Sequence, residues 1–152
     1  ISFDENGEHG VHSLPEKVDT DYYLKRGVIF FHATLLIRTE VMKKLNGYTD
    51  KWYAVQAEDY ELWSRFLKEG YKGFNLHENL YYVREDLNTY KIDIKRKNIK
   101  RRLRGLVLRF NVNKSLNAPV KIYFYMLKDI IVLFIPRSVF IKYYRKKMNI
   151  QI

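Results

Sequence analysis

Residues 57–85 read AEDYELWSRFLKEGYKGFNLHENLYYVRE. Two adjacent carboxylates, Glu58 and Asp59, open the stretch. Leu62, Trp63, Phe66 and Leu67 follow at i, i+1, i+4 and i+5, the spacing of one buried helix face, and Gly70 supplies a stop. The pattern predicts an amphipathic helix over 58–68. YKGFNL and LYYVRE then read as short strands about a HEN turn. Acids in a first helical turn complement the positive end of the helix dipole, worth roughly 0.3–1 kcal/mol when exposed. Capping alone therefore accounts for Glu58 and Asp59. The same position also suits a general base, because a carboxylate there is fixed in direction and stays ionised.

On the N-terminal side, VIFFHATLLIR (28–38) is dominated by β-branched and aromatic residues and predicts a buried strand. Thr39 is placed to cap a short helix, EVMKKLNG, with Val41, Met42 and Leu45 on one face and Gly47 as its end. The opening ISFDENGE reads as a strand and a turn, as expected of a chain cut from something longer. It has neither the basic start nor the apolar run of a signal peptide.

On the C-terminal side the character changes. Residues 1–90 hold 11 Lys and Arg against 15 Asp and Glu, whereas residues 91–152 hold 17 against 2, so the net +11 is the sum of −4 and +15. Such asymmetry points to an anionic partner, membrane or nucleic acid. Ile92, Ile99, Leu103, Leu106 and Phe110 recur at helical spacing among the basic residues, which predicts a helix with those side chains on its apolar face. NVNKSLNAP is a loop whose Pro119 suits the first turn of a further helix, VKIYFYMLKDIIVLFI, which Pro136 breaks. The apolar runs around Lys128 and Asp129 are far shorter than the roughly 20 residues of a membrane span. An interfacial helix fits them, with aromatic and aliphatic side chains at the acyl boundary and Lys and Arg toward head groups. A helix packed on its own domain with a solvated basic face is the simpler alternative.

The chain of 152 residues has room for one ordinary core. It has no cysteine, which excludes disulfides and thiolate metal sites and suits a reducing compartment. Aromatic residues make up 16%, a high share.

Taken in order, FFHATLLIRTEVMKKLNGYTD and AEDYELWSRFLKEGYKGFNLHENLYYVRE resemble the acceptor-side half of family 2 glycosyltransferases, which have the GT-A fold. The shared features are a His-x-Thr strand leading to an Arg, a short helix ending in Gly-Tyr, Glu-Asp-x-x-Leu-Trp-x-Arg, and a closing strand that ends in Arg. The likeness covers roughly residues 1–86. It implies inverting transfer of a sugar from a nucleotide-sugar donor to a glycan or lipid-linked acceptor, in surface-polysaccharide synthesis of the bacterial type. A sugar hydroxyl is a weak nucleophile, so a positioned carboxylate must take its proton as the new bond forms. The resemblance assigns that role to Asp59, with Glu58 shaping the pocket or bonding acceptor hydroxyls.

Other candidates carry two readings each. His32, within an apolar run, is either a satisfied core residue or a lining residue of the donor–acceptor cleft. Arg84 faces the diphosphate or acceptor, or is a surface ion-pair partner. Trp63 lies on the apolar helix face and belongs to the core, whereas Trp52, in a loop before the acids, is the better residue for stacking on acceptor sugar.

Members of this family hold a divalent metal, Mn or Mg, at an Asp-x-Asp that ends an apolar strand, and the metal neutralises the leaving diphosphate. This chain has Asp19-Thr20-Asp21, but in a polar setting and too close to Glu58 for the intervening strands, so it reads as a decoy. The metal site and the donor half are expected upstream of Ile1, and this chain is expected to contribute no metal ligand. The sequence thus points to an α/β chain: a partial GT-A mixed sheet with helices over 1–90, then basic amphipathic helices at a membrane surface over 91–152. It implies a cytoplasmic protein, peripheral to the membrane, with an anionic membrane surface rather than nucleic acid as its partner. The rivals are a nucleic-acid-binding module built on KIDIKRKNIKRRLRG and a membrane-surface scaffold in which Glu58 and Asp59 only cap.

Overall fold

The structure, a computed structural model, describes residues 1–84 and 99–134. The predicted helix is present with the predicted ends. α3 here denotes Glu58–Lys68, which buries Leu62, Trp63 and Phe66 along one face. Gly70, at φ 75°, lets the chain turn so that the Tyr71 amide reaches the Phe66 carbonyl at 3.2 Å. Two shorter helices precede it, α1 (Thr20–Arg26) and α2 (Thr39–Lys44). Around the buried face of α3 gather Tyr23, Ile29, Leu45 and Ala54, and then Leu108 and Val112 from α4 (Ile99–Ser115). α4 turns back through residues 116–119 into α5 (Val120–Phe134), against which it packs.

Three short strands form a sheet in the order β2–β1–β3: β1 Ser2–Asp4, β2 Gly7–Gly10 and β3 Val83–Arg84. β1 and β2 are an antiparallel hairpin with a bulge between Ser2 and Phe3, and β3 lies parallel to β1 with Ser2 opposite Val83. The strand-and-turn opening read from ISFDENGE is therefore present.

Several expectations need correcting. Residues 28–38 are not a buried strand. A single 3₁₀ turn, His32–Thr34, interrupts an irregular segment in which Ile29 is buried but Phe31, His32 and Leu36 are exposed. An apolar run becomes a strand only where a neighbour completes its hydrogen-bond ladder. YKGFNL likewise makes one isolated bridge, Phe74 with Lys17, and LYYVRE pairs with β1 at Val83 and Arg84 instead of folding back on YKGFNL. Thr39 is inside α2, not before it; Arg38 holds the cap position and makes no side-chain cap bond.

The helix read through Ile99, Leu103, Leu106 and Phe110 exists, but the opposite face, with Leu108 and Val112, packs on the core. Ile99, Leu103 and Phe110 are exposed and Leu106 is half-buried. α4 therefore docks on the domain through one face and leaves an apolar stripe on the other. α5 does the same, burying Ile122 and Met126 while Val120, Phe124, Leu127 and Ile131, at i, i+4, i+7 and i+11, stay exposed. Ile92, Pro136 and the terminal basic segment lie outside the described residues.

Candidate active site

α3 begins without a side-chain cap, because its N-cap residue is Ala57. The two acids occupy its first turn and satisfy the local amides differently. Glu58 folds backward, and its Oε1 accepts from the Gln56 amide at 2.9 Å. Gln56 itself is held at φ 67°, a left-handed conformation, so this bond closes the turn that leads into the helix. That amide, followed by those of Glu58 itself and Ala57, keeps the Glu58 carboxyl below its ordinary range. Glu58 is thus a loop-closing acid.

Asp59 is half-buried, and its Oδ1 accepts from the adjacent Tyr60 amide at 2.8 Å. One oxygen of the carboxylate is thus engaged by the helix backbone, and the other, Oδ2, has no hydrogen-bond partner among the described residues. Beneath this turn the Tyr23 hydroxyl donates to the Tyr60 carbonyl, and the two rings pack 5.0 Å apart. Burial first, then the Tyr60 and Asp59 charges and dipoles, push the Tyr23 hydroxyl pKa up. It stays a neutral donor that pins the turn from below.

The rest of the Glu-Asp-x-x-Leu-Trp-x-Arg set has a structural logic that sequence reasoning missed. Leu62 and Trp63 are core residues, as expected for Trp63. Arg65 bonds Glu61 through Nε at 2.8 Å and through its terminal nitrogen at 2.7 Å. It also donates to the Leu45 carbonyl and, at 2.8 Å, to the Gly47 carbonyl, beyond the end of α2. Glu61 is buried, so this pair clamps α2 to α3 from inside. The visible signal was the i, i+4 spacing of Glu61 and Arg65.

The clamp reaches toward His32. Tyr48, next to Gly47, places its hydroxyl 3.0 Å from His32 Nε2, and the His32 ring lies edge-on to Trp63 with centroids 6.0 Å apart. His32 is exposed, so it is not a core histidine; it sits at the surface, over the middle of α3. Trp52 is 62% exposed, and its ring is nearly perpendicular to that of Tyr53 with centroids 5.8 Å apart. Arg84 lies on the sheet, where its contact is a loose 3.9 Å pair with Glu5. The structure therefore joins His32 to α3 through Trp63, while Trp52 and Arg84 have their contacts elsewhere.

Asp19 and Asp21 have local tasks. Asp19 caps α1, accepting from the Tyr22 amide at 2.7 Å, and Asp21 pairs with Lys25 at 2.5 Å. Among the described residues no group of three or more His, Cys, Asp or Glu could hold a metal ion.

The chain is 33% identical over 148 residues to the protein of Bacillus subtilis (strain 168) named "Putative glycosyltransferase EpsE". The alignment takes in 97% of this chain and 51% of that protein, so the chain spans about half the length of its relative. No family model matches the chain. No solved structure matches it. The similarity supports a glycosyltransferase fragment, and the mixed α/β architecture is compatible with one.

Proposed function

We propose that this chain is the acceptor-side half of an inverting, family 2 glycosyltransferase with a GT-A fold, and that Asp59 is its general base. The observation that carries the reading is the first turn of α3. Asp59 is anchored through one oxygen and open at the other, on a helix fixed by the Tyr23 hydroxyl below and the Arg65 clamp behind. In the reaction an acceptor hydroxyl attacks the anomeric carbon of a nucleotide-sugar and gives its proton to Asp59 as the C–O bond forms. The nucleoside diphosphate leaves from the opposite face. His32 and Trp52 line the acceptor approach, Trp52 by stacking, and Arg84 serves acceptor or diphosphate once the remainder of the protein is in place.

The donor-binding part, with the divalent Mn or Mg site that the family uses, belongs in this reading to the other half of a protein of the relative's length. Leu36, Phe74, Leu76 and Leu80 are 61–98% exposed here and form the apolar seam against it. The outward stripes of α4 and α5, bordered by Lys100, Arg102, Arg109 and Lys121, bind an anionic leaflet peripherally at the cytoplasmic face and bring a lipid-linked acceptor to Asp59. No helix among the described residues is long and apolar enough to cross a membrane.

The test is Asp59→Asn in the full-length protein. The carboxamide keeps the shape and can still accept from the Tyr60 amide, but it cannot take the proton. Transfer is expected to fall by about 10²–10⁴-fold with donor binding intact. Turnover within a few-fold of the parent would remove Asp59 from the base role.

A further inference from the structure

His32 is exposed, yet it is held from three directions. Its backbone belongs to the 3₁₀ turn His32–Thr34, which Thr34 closes twice: its amide and its hydroxyl both donate to the Phe31 carbonyl, at 3.0 and 2.9 Å. The imidazole lies edge-on to Trp63, with centroids 6.0 Å apart, and to Tyr48 at 5.6 Å. The Tyr48 hydroxyl stands 3.0 Å from Nε2. Tyr48 is itself fixed. Asn46 and Gly47, at φ 57° and 61°, turn the chain sharply out of α2, and Arg65 holds the Gly47 carbonyl at 2.8 Å. The His-x-Thr and Gly-Tyr features of the sequence thus meet at one side chain.

Folding alone gives no reason for this bracing. An exposed imidazole buries little apolar area, and holding an exposed side chain in one rotamer costs conformational entropy. Holding a polar group in advance does favour binding, because the group is already ordered when the ligand arrives. The contact with Tyr48 also sets which polar atom is offered. A phenol O–H is a stronger donor than an imidazole N–H, and an imidazole nitrogen is a stronger acceptor than a phenol oxygen. The hydroxyl therefore donates to Nε2, and the ring proton of neutral His32 sits on Nδ1. Nδ1 has no hydrogen-bond partner among the described residues.

We propose that Tyr48 is a positioning residue, holding His32 so that Nδ1–H donates to a hydroxyl oxygen of the acceptor sugar and sets which other hydroxyl faces Asp59. The sugar class rests on the reading of Asp59 as the base. Asp59 and Trp63 are four residues apart in α3, on one side of the helix and about 6 Å apart along its axis. The braced ring, packed on Trp63, therefore contacts α3 one helical turn beyond the residue that bears the carboxylate. That spacing is on the scale of one sugar ring, with one hydroxyl at Asp59 and another at His32.

The test is nitrogen-15 NMR of the histidine rings in the intact protein, in mildly alkaline buffer where imidazoles are neutral, with the His32 signals assigned from His32→Asn. In the parent, His32 is expected as a single tautomer with its proton on Nδ1. Tyr48→Phe keeps the ring contact and removes the hydroxyl, so it should mix the tautomers and leave the melting temperature unchanged. Titration with methyl glycosides of glucose, galactose and N-acetylglucosamine should move the Nδ1 signal saturably for at least one of them. Sorbitol, an acyclic polyol, should not move it. Tyr48→Phe should raise that Kd about threefold to tenfold, the range of one hydrogen bond. A merely structural role fails one further check. Asn carries its amide on Cγ, where Nδ1 is bonded, whereas Gln carries it one bond further out, near the place of Nε2. His32→Asn should bind the glycoside within about threefold of the parent, read from backbone amide shifts, and become insensitive to Tyr48→Phe; His32→Gln should bind about tenfold more weakly. The proposal is overturned if Nδ1 bears no proton, if no glycoside moves its signal, or if sorbitol moves it equally. It is equally overturned if Tyr48→Phe binds like the parent, or if His32→Gln binds better than His32→Asn. The readout is sugar binding, not transfer. Failure here leaves the Asp59→Asn result standing, and an active Asp59→Asn variant leaves the sugar contact at His32 standing.

Discussion

Removing the Arg65 guanidinium should cost more stability than any surface substitution of this chain, and its size follows from the contacts it breaks. Arg65 serves Glu61 twice and the carbonyls of Leu45 and Gly47 once each. The side chain is 25% exposed and that of Glu61 8%. In Arg65→Met the stem is roughly preserved and every polar contact is lost. Charge-assisted bonds are worth about 1.5–3 kcal/mol each, and breaking a buried ion pair on one side costs about 3–5 kcal/mol. These overlap, since the larger figure already includes the stranded carboxylate, and water reaches the partly exposed guanidinium. We expect a loss of about 3–4 kcal/mol, a large part of the 5–15 kcal/mol of an ordinary domain. Arg65→Lys should lose about 2 kcal/mol, because one ammonium cannot reach Glu61 and both carbonyls. The double variant Arg65→Met, Glu61→Gln should recover about 1–2 kcal/mol relative to the sum of the singles. Urea unfolding followed by circular dichroism gives all three values, provided the slope is unchanged. The reasoning fails if Arg65→Met unfolds within about 0.5 kcal/mol of the parent.

Other outcomes follow from single contacts. The Glu58 carboxyl is held below its ordinary value of 4.5, first by the Gln56 amide. Its contribution is therefore complete above about pH 4.5 and lost as pH falls through the lower folded value; the parent's advantage over Glu58→Gln should shrink in acid, and an advantage that grew there would contradict the bond. At Gly73 an added Cβ would fall 2.4 Å from the Phe30 ring, which is wedged against Trp63 and Phe66 with centroids 5.0 and 6.0 Å away. Gly73→Ala should therefore cost about 1–3 kcal/mol by thermal unfolding, and a neutral result would show that the ring is free to move. Phe124→Ser with Leu127→Ser alters only the outward stripe of α5, so it should leave the melting temperature unchanged and weaken sedimentation with anionic vesicles by about tenfold or more. If the parent ignores vesicles and binds RNA with a steep salt dependence, the stripe is not a membrane surface.

The sequence by itself determined the elements whose signal is local. The helix of 58–68 was legible because its apolar period, first-turn acids and stop glycine all agree. The opening strand with its turn, and the helix beginning after Pro119, were legible from equally local cues, whereas the second strand, Gly7–Gly10, was not. α1 carries equally local signals, Asp19 as cap and Gly27 as stop, but Asp19-Thr20-Asp21 also has the spacing of a metal motif, and only the structure shows the capping role. Tertiary structure alone decided the rest. Whether 28–38 is a strand depends on a partner to complete its ladder, which no periodicity within the segment reports. Which apolar face of α4 meets the core depends on where α3 presents its own. The use of Arg65 depends on two carbonyls 18 and 20 residues away. The first turn of α3 shows the division within a single site. Two acids at a helix start are written in the sequence, but only the fold turns Glu58 back to close its loop and leaves one oxygen of Asp59 open, because a side chain's task is set by the donors that surround it in space.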